Sequence, residues 1–504
     1  MSRRRLKTTA AVAGCALLVA ACNGHAVIVE NRSEDAVLVS DRTTSSGRSR
    51  GGPEVATGAK GVNVGSSGAA TSSAGTTAAG GDPNCATTSN PDEGFTEDTI
   101  KWGTIIPLTG SLRPLGEQVA RVMKISVDRL NTISKLPGPV PLNWGCSDRP
   151  GIFGRKVELE IFSLQNNTPE EALGAMRRLI DVENVFLVRD CYLESNLMGP
   201  ATQYQNQHGV PGVWCHFSEM KYPQLAPWTF NPGINPLMSV GIHTGYLINK
   251  LDKRRLGILA DPSTAGNQVR IVRQVAAHLD HPIPDDCVIF KKAQEASNGM
   301  RSEIAALRTC YGAGQSPDAV VALDALNAVF GAMEAKSQGW KGADNDVQWD
   351  CSGLSCWITV LADLCGDACE GMLTDCASLP CIPWASAKEY PAVVNFRDFH
   401  ENYVPREPED ILTFAPAAIT SGIALWLTMT GPDLSREKFA YTLENLKNWS
   451  SGIGSVITTS PEDHFGSNSV WIIQFTGRSP WFDDVTGRFL TLDEVGVPRA
   501  LVTD

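Results

Sequence analysis

A chain of 504 residues has room for two or three ordinary domains, and a 42% hydrophobic composition supplies a sizeable core. A formal net charge of -12 argues against the basic faces that phosphate recognition needs, so nucleic acid is not an expected partner. The same balance gives no reason for binding an anionic lipid surface by charge, and otherwise speaks only to solubility.

The first residues read as a targeting segment. Arg3, Arg4, Arg5 and Lys7 form a positive n-region. Residues 10–21 are a short apolar run, too short to span a bilayer and right for a signal-peptide core. Within "VAGCALLVAACNG" two cysteines, Cys15 and Cys22, each follow a small apolar triplet. "VAAC" resembles a bacterial lipobox, in which the cysteine is diacylated and becomes the new N-terminus. Use of Cys15 would leave only residues 10–14 as apolar core, too little for export. Lipidation is therefore expected on Cys22, with residues 1–21 as the signal peptide. The arginine run leaves general secretion and twin-arginine export both open. Residues 41–93 are largely Gly, Ser, Thr and Ala without apolar period, so residues 22–93 are expected to form a flexible tether. Roughly 50 residues of such chain reach on the order of 40 Å.

An alternating series follows. "TIKWGTIIPLTG" (99–110) is an apolar run ended by Pro and Gly, a buried strand and turn. "GEQVARVMKISVDRLN" places Val119, Val122, Met123, Val127 and Leu130 on one helical face. "RKVELEIFS" alternates like a strand. "TPEEALGAMRRLIDVEN" opens with a capping box from Thr168 to Glu171 and carries Pro169 at the first helical position. "VFLVRD", "VPGVWC", "RLGILAD", "CVIFKKA" and "DAVVALD" read as strands, with amphipathic helices between them. Such alternation predicts parallel sheets covered on both faces. "FAPAAITSGIALWLTMTG" (414–431) contains Pro416, Thr420, Ser421 and Thr428, and reads as a buried core helix rather than a membrane span. No G-x-S-x-G, P-loop, H-E-x-x-H or G-x-G-x-x-G after a strand interrupts the series, so no enzyme chemistry is expected. The eight histidines show no ligand spacing, and neither a metal nor a cofactor is expected.

"GFTEDTIKWGTIIPLTGSLRPLGEQVARVMKISVDRLN" followed by "GIFGRKVELEIFSLQNNTPEEALGAMRRLI" resembles the opening of type I periplasmic binding proteins. The likeness is greatest to the substrate-binding proteins of branched-chain amino acid ABC transporters. "HGVPGVW", "PWTFNPGINP", "KRRLGILAD" and "LCGDACEGML" continue it in order, so it covers roughly residues 94–504. The resemblance implies an α/β fold of two doubly wound parallel-sheet lobes joined by three crossings, with a ligand cleft between them. Lobe I would be 94–231 plus 351–467, and lobe II 232–350 plus 468–504. The crossings would lie near Asn231, Asp350 and Gly466, and hinge closure is the expected motion.

The same resemblance points to the loops that would touch a ligand, outside the C-terminal strand ends. In "LTGSLRPLG" the family's aromatic residue is replaced by Leu115, with Arg113 nearby. In "CYLESN" Ser195 keeps a hydroxyl suited to a ligand carboxylate, while Tyr192 and Glu194 are departures. In "WCHFS" Ser218 and His216 stand where the family clamps an amino acid through a hydroxyl and backbone. "ADPSTAGNQ" offers Thr264 and Ala265 in place of an aromatic wall. The acid that pairs a ligand ammonium aligns with Asn327, with Asp324 close by. The carboxylate clamp is partly kept and the ammonium partner is lost, so an amide, a carboxylate or another small polar solute fits as well as a branched-chain amino acid.

Of 14 cysteines, setting aside Cys15 and Cys22 leaves an even number, which suits disulfides in an oxidising compartment. A zinc site between Cys351 and Cys381 is disfavoured, because no C-x2-C pair and no histidine occur there. Cys191 and Cys215 end adjacent expected strands and are expected to pair. Cys287 with Cys310, and Cys85 with Cys146, are the other expected bridges. The pairing of Cys351, Cys356, Cys365, Cys369, Cys376 and Cys381 is left open. The chain thus reads as a monomeric, non-catalytic solute receptor, lipid-anchored on the outer face of the cell membrane and serving an ABC permease. The alternative is a two-lobed sensory receptor without transport.

Overall fold

The computed structural model describes residues 85–109, 113–132, 146, 149–165, 168–189, 195–214, 226–262, 266–312, 314–342, 345–352, 359–376, 391–407, 411–449, 455–478 and 482–503. The signal segment, Cys22 and nearly all of the expected tether lie outside them. Five strands come first: β1 (Thr99–Ile106), β2 (Lys156–Ser163), β3 (Leu187–Arg189), β4 (Gly212–Val213) and β5 (Thr229–Ile234). Then come β6 (Leu256–Ala260), β7 (Val288–Phe290), β8 (Ala319–Ala322), a ribbon of β9 (Lys341–Gly342) and β10 (Asn345–Asp346), β11 (Gln348–Cys351) and β12 (Leu373–Cys376). The last four are β13 (Phe465–Ser467), β14 (Ser469–Phe475), β15 (Phe482–Asp484) and β16 (Leu490–Thr491).

They form two large sheets. The first has the order β13-β5-β4-β3-β1-β2 and is parallel throughout. The second has the order β15-β14-β12-β11-β8-β6-β7, with β16 beside β14. Strands β12 to β7 are parallel, and β14, β15 and β16 close one side antiparallel. This is the two-lobed, doubly wound α/β architecture that the resemblance implies, built on the parallel sheets that the alternating pattern predicts.

The lobe boundaries shift from those expected. β12 pairs with β11 through Asp350↔Leu373 and Cys351↔Thr374, so the chain stays in the second sheet up to Cys376 instead of leaving it at Asp350. β12 is only four residues long and includes Asp375, so neither length nor alternation marks it in the cysteine-rich run. β5 likewise stays in the first sheet beyond Asn231, to Ile234. Only Asn468 separates β13 in the first sheet from β14 in the second.

Local chemistry explains the helices. Thr168 caps the helix Pro169–Arg177, its side chain accepting from the Glu171 N–H, and Pro169 occupies the first turn. On the helix Arg113–Leu130, Val119, Val122, Met123, Val127 and Leu130 are all buried. The helix Ile411–Thr430 is long and apolar enough to cross a membrane, but 83% of its apolar window is buried inside the protein, as a core helix requires. Pro416 interrupts its ladder, and the Pro416 carbonyl accepts from the Thr420 hydroxyl at 2.7 Å and from Arg189 Nη2 at 3.1 Å.

Arg155, just before β2, ties the N-terminal edge of the first sheet together. Its buried guanidinium donates to the carbonyls of Thr96 (2.7 Å), Pro432 (2.9 Å) and Thr88 (2.8 Å), and lies over the Phe95 ring at 5.2 Å. Burial, aided by the Arg149 charge, pushes its pKa down to about 10, so it stays charged at neutral pH. The same region is stapled by Cys85–Cys146, and Cys287–Cys310 closes the edge of the second sheet, both as expected. Within the cysteine-rich run, Cys365 pairs with Cys369. Cys351 is also disulfide-bonded. Cys191 and Cys215 lie outside the described residues.

Candidate functional site

In open parallel sheets ligands bind outside the C-terminal strand ends. β1 runs on through Pro107 and Leu108 to Thr109, whose hydroxyl donates to the Leu164 carbonyl at 2.6 Å, while the Leu108 N–H donates to Ser163 Oγ at 3.2 Å. The ends of β1 and β2 are thereby fixed to one another. The following helix crosses close above them: a Cβ on Gly116 would stand 2.0 Å from the Pro107 carbonyl oxygen, so only glycine fits. Arg113, at the start of that helix, pairs with Glu117 at 2.7 Å on an exposed surface rather than being held toward the sheet.

β3 ends on Arg189, which is fully buried. It donates to Thr420 Oγ1 at 2.6 Å and lies 5.7 Å from the Trp102 ring. β4 is followed directly by Trp214, a half-buried residue in the left-handed region (φ 52). Its ring packs 5.5 Å from Trp426. A bulky residue in that conformation is held there by its surroundings, which is common at binding sites. The loops that follow hold Tyr192, Glu194, His216 and Ser218, and these lie outside the described residues. Ser195 is the first residue of the helix Ser195–Gln207.

In the second lobe β6 is followed by Asp261, which is buried, and Thr264 lies outside the described residues. β8 leads to Asp324 and Asn327, and the structure brings these two together. Asp324 caps the helix Ala325–Ser337 and accepts from the Asn327 N–H at 2.8 Å and from Asn327 Nδ2 at 2.7 Å. Asn327 Nδ2 also donates to the Lys291 carbonyl at 2.8 Å. With Nδ2 facing two oxygen acceptors, the amide orientation is fixed, and Asn327 Oδ1 is buried without a partner. Burial pushes the Asp324 pKa up to about 7, against the Asn327 hydrogen bonds that lower it and with a further rise from the Asp261 charge. Asp324 thus works as a helix cap, its carboxyl held well above the usual carboxylate range by burial.

The two lobes meet at these ends. One buried apolar cluster contains Ile106, Val119 and Met123 from the first lobe with Leu259, Ala322 and Leu326 from the second. Among the described residues no group of three or more His, Cys, Asp or Glu could hold a metal ion. Sequence reasoning missed Arg189, Trp214 and a buried polar group of Ser239, His243, Asp350 and Asp375. The available signal was a charged or imidazole side chain inside an apolar run, as in "VFLVRD" and "SVGIHTG".

Comparison with known proteins agrees with this architecture. The family described as periplasmic binding protein matches residues 99–479. A possible leucine/isoleucine/valine-binding protein from Rhodopirellula baltica SH 1 superimposes with a TM-score of 0.59 at 16% identity, covering 81% of this chain and 100% of that one. A solute-binding protein of an ABC transporter from R. palustris, solved in complex with 4-hydroxybenzoate, gives 0.61 at 13% identity, covering 78% and 97%. At such identities the likeness is one of fold. Leu/Ile/Val-binding protein homolog 8 of Brucella abortus (strain 2308) is 30% identical over 112 residues, 22% of this chain and 23% of that protein. The matched stretch is thus under a quarter of that relative's length.

Proposed function

From a chain that belongs to the periplasmic binding protein family, we propose a solute receptor held on the outer face of the cell membrane by a lipid on Cys22. It would carry a small ligand between its lobes to an ABC permease. The observation that supports this reading most is the meeting of the β1, β6 and β8 C-terminal ends in one interlobe cluster, between sheets joined by short crossings. The ligand is amino acid-like in size or another small polar solute. Its expected recognition is a carboxylate clamp from Ser195 and Ser218, with Tyr192, Glu194, His216 and Thr264 along the rim and a Cys191–Cys215 bridge steadying two of the loops.

The second lobe supports a ligand without an ammonium group. A buried ammonium needs a carboxylate partner. Here Asn327 is neutral, and Asp324 is committed to capping a helix and titrates near neutrality. The R. palustris structure holds 4-hydroxybenzoate, a carboxylate of that kind.

Thermal melting with a panel of small carboxylates, amides and amino acids tests the receptor reading, since a ligand that binds only the folded state raises the midpoint. At least one amine-free member is expected to do so, and a panel without any shift would count against the reading. The intact mass of membrane-extracted protein tests the anchor. A diacylated chain beginning at Cys22 is expected, and a chain beginning at Cys15 or lacking lipid would refute it.

A further inference from the structure

Three tryptophans touch in a row beside the first sheet. Trp214 follows β4, and its N–H still donates to the Phe230 carbonyl on β5 at 3.0 Å. Its ring centroid lies 5.5 Å from that of Trp426, on the helix Ile411–Thr430, and Trp426 lies 5.3 Å from Trp449. Trp449 bridges to Ile457, and Ile457 to Ser467, the C-terminal residue of β13. The two outer tryptophans therefore stand at the C-terminal ends of β4 and β13, the strands on either side of β5.

Strand geometry alone would not build this row. Successive strand residues point to opposite faces of a sheet. Val213 is buried in the apolar cluster that contains Trp426, and Trp214, the next residue, packs on the same cluster. The positive φ of Trp214 turns its ring back to that side, in a conformation that bulky residues seldom adopt. Core packing accounts for the contact but not for the exposure. A core stack is covered at both ends, whereas Trp214 and Trp449 are only half-buried beside a buried Trp426. The row is also unfinished in its polar part, because Trp426 Nε1 is buried without an acceptor among the described residues.

We propose that Trp214 is the stacking surface for a flat ring, and that the ligand is an aromatic carboxylate. The inference rests on the receptor reading, in which Ser218, four residues further along the same loop, meets the carboxylate. The ring then lies on the uncovered part of Trp214, with Trp426 fixed behind it. Aromatic pairs favour offset or edge contacts with centroids about 4.5–7 Å apart, the spacing the row already has. An aliphatic acid of equal size would bury similar area there and make no ring contact.

The test is calorimetric titration of the mature protein with phenylacetate and with cyclohexylacetate. Both carry one carboxylate and one six-membered ring, and they differ in flatness and π character. Phenylacetate is expected to bind about tenfold more tightly. Trp214→Leu is expected to erase that preference, weakening phenylacetate by about tenfold and cyclohexylacetate by less than about threefold, while Trp214→Phe keeps the preference. Equal affinity of the wild type for the two acids overturns the proposal. So does absence of phenylacetate binding, or equal weakening of both acids in Trp214→Leu. Should Trp214→Leu not fold, the wild-type comparison decides by itself. An aliphatic acid that raises the melting midpoint where phenylacetate does not would refute the aromatic class and leave the receptor reading standing.

Discussion

Arg155→Met is expected to destabilise the fold by at least ~3 kcal/mol, read as a lowered urea midpoint at unchanged slope. The guanidinium is 1% exposed, and three carbonyls from three separate segments depend on it. Each hydrogen bond to a charged group contributes about 1.5–3 kcal/mol, and a carbonyl left buried without a donor adds its own desolvation cost. Methionine fills much of the volume but donates nothing. Arg155→Lys should recover only part, because one ammonium cannot span three acceptors that the planar fork reaches together. The control is Arg397→Ala, whose ion pair with Glu401 has side chains 60% and 56% exposed. A screened surface pair of this kind contributes about 0.3–0.5 kcal/mol. Equal losses for Arg155 and Arg397 would show that the clamp carries no special weight. Arg155 lies at the N-terminal end of β2, away from the C-terminal strand ends of the proposed site, so ligand affinity of folded Arg155→Met is expected to match the wild type.

Much of the architecture was legible in the sequence because its causes are local. Helical spacing alone puts Val119, Val122, Met123, Val127 and Leu130 in the core. Thr168 and Pro169 announce their helix by capping chemistry. The cysteines at 287 and 310, at opposite ends of a strand-loop-helix unit, find each other because the helix returns to the sheet edge from which the strand began. β12 was not legible: it is held by neighbours on both sides, through Cys351↔Thr374 and Asp375↔Ile472, and not by its own composition. Residues whose partners come from distant segments were equally hidden. Nothing in "VFLVRD" says that Arg189 will meet Thr420, and nothing in "SVGIHTG" says that His243 will meet Asp350.

At the candidate site the sequence places Asp324 and Asn327 close in the chain, and the structure shows what each is bonded to. Asp324 and Asn327 do lie together at the end of β8, but their hydrogen bonds face each other and the backbone. The capping role was readable from "DALN", an acid followed three residues later by an amide at the start of an apolar helix. Arg113 was placed by the strand-end rule, yet an i,i+4 acid on its own helix holds it at the surface.

Leucine, isoleucine and valine are expected to bind poorly, and this prediction carries the central claim. On the proposed site their carboxylate would meet the Ser195 and Ser218 hydroxyls, but their ammonium would face the neutral Asn327 amide. Removing one partner of a buried ion pair costs about 3–5 kcal/mol, on the order of a hundred- to several thousandfold in Kd. A receptor that would otherwise hold such a ligand at micromolar concentration would then need roughly millimolar amounts. Isothermal titration calorimetry of the mature protein with each of the three amino acids is the direct measurement. The account predicts no saturable heat below about millimolar ligand. Tight, saturable binding of any one of them contradicts it.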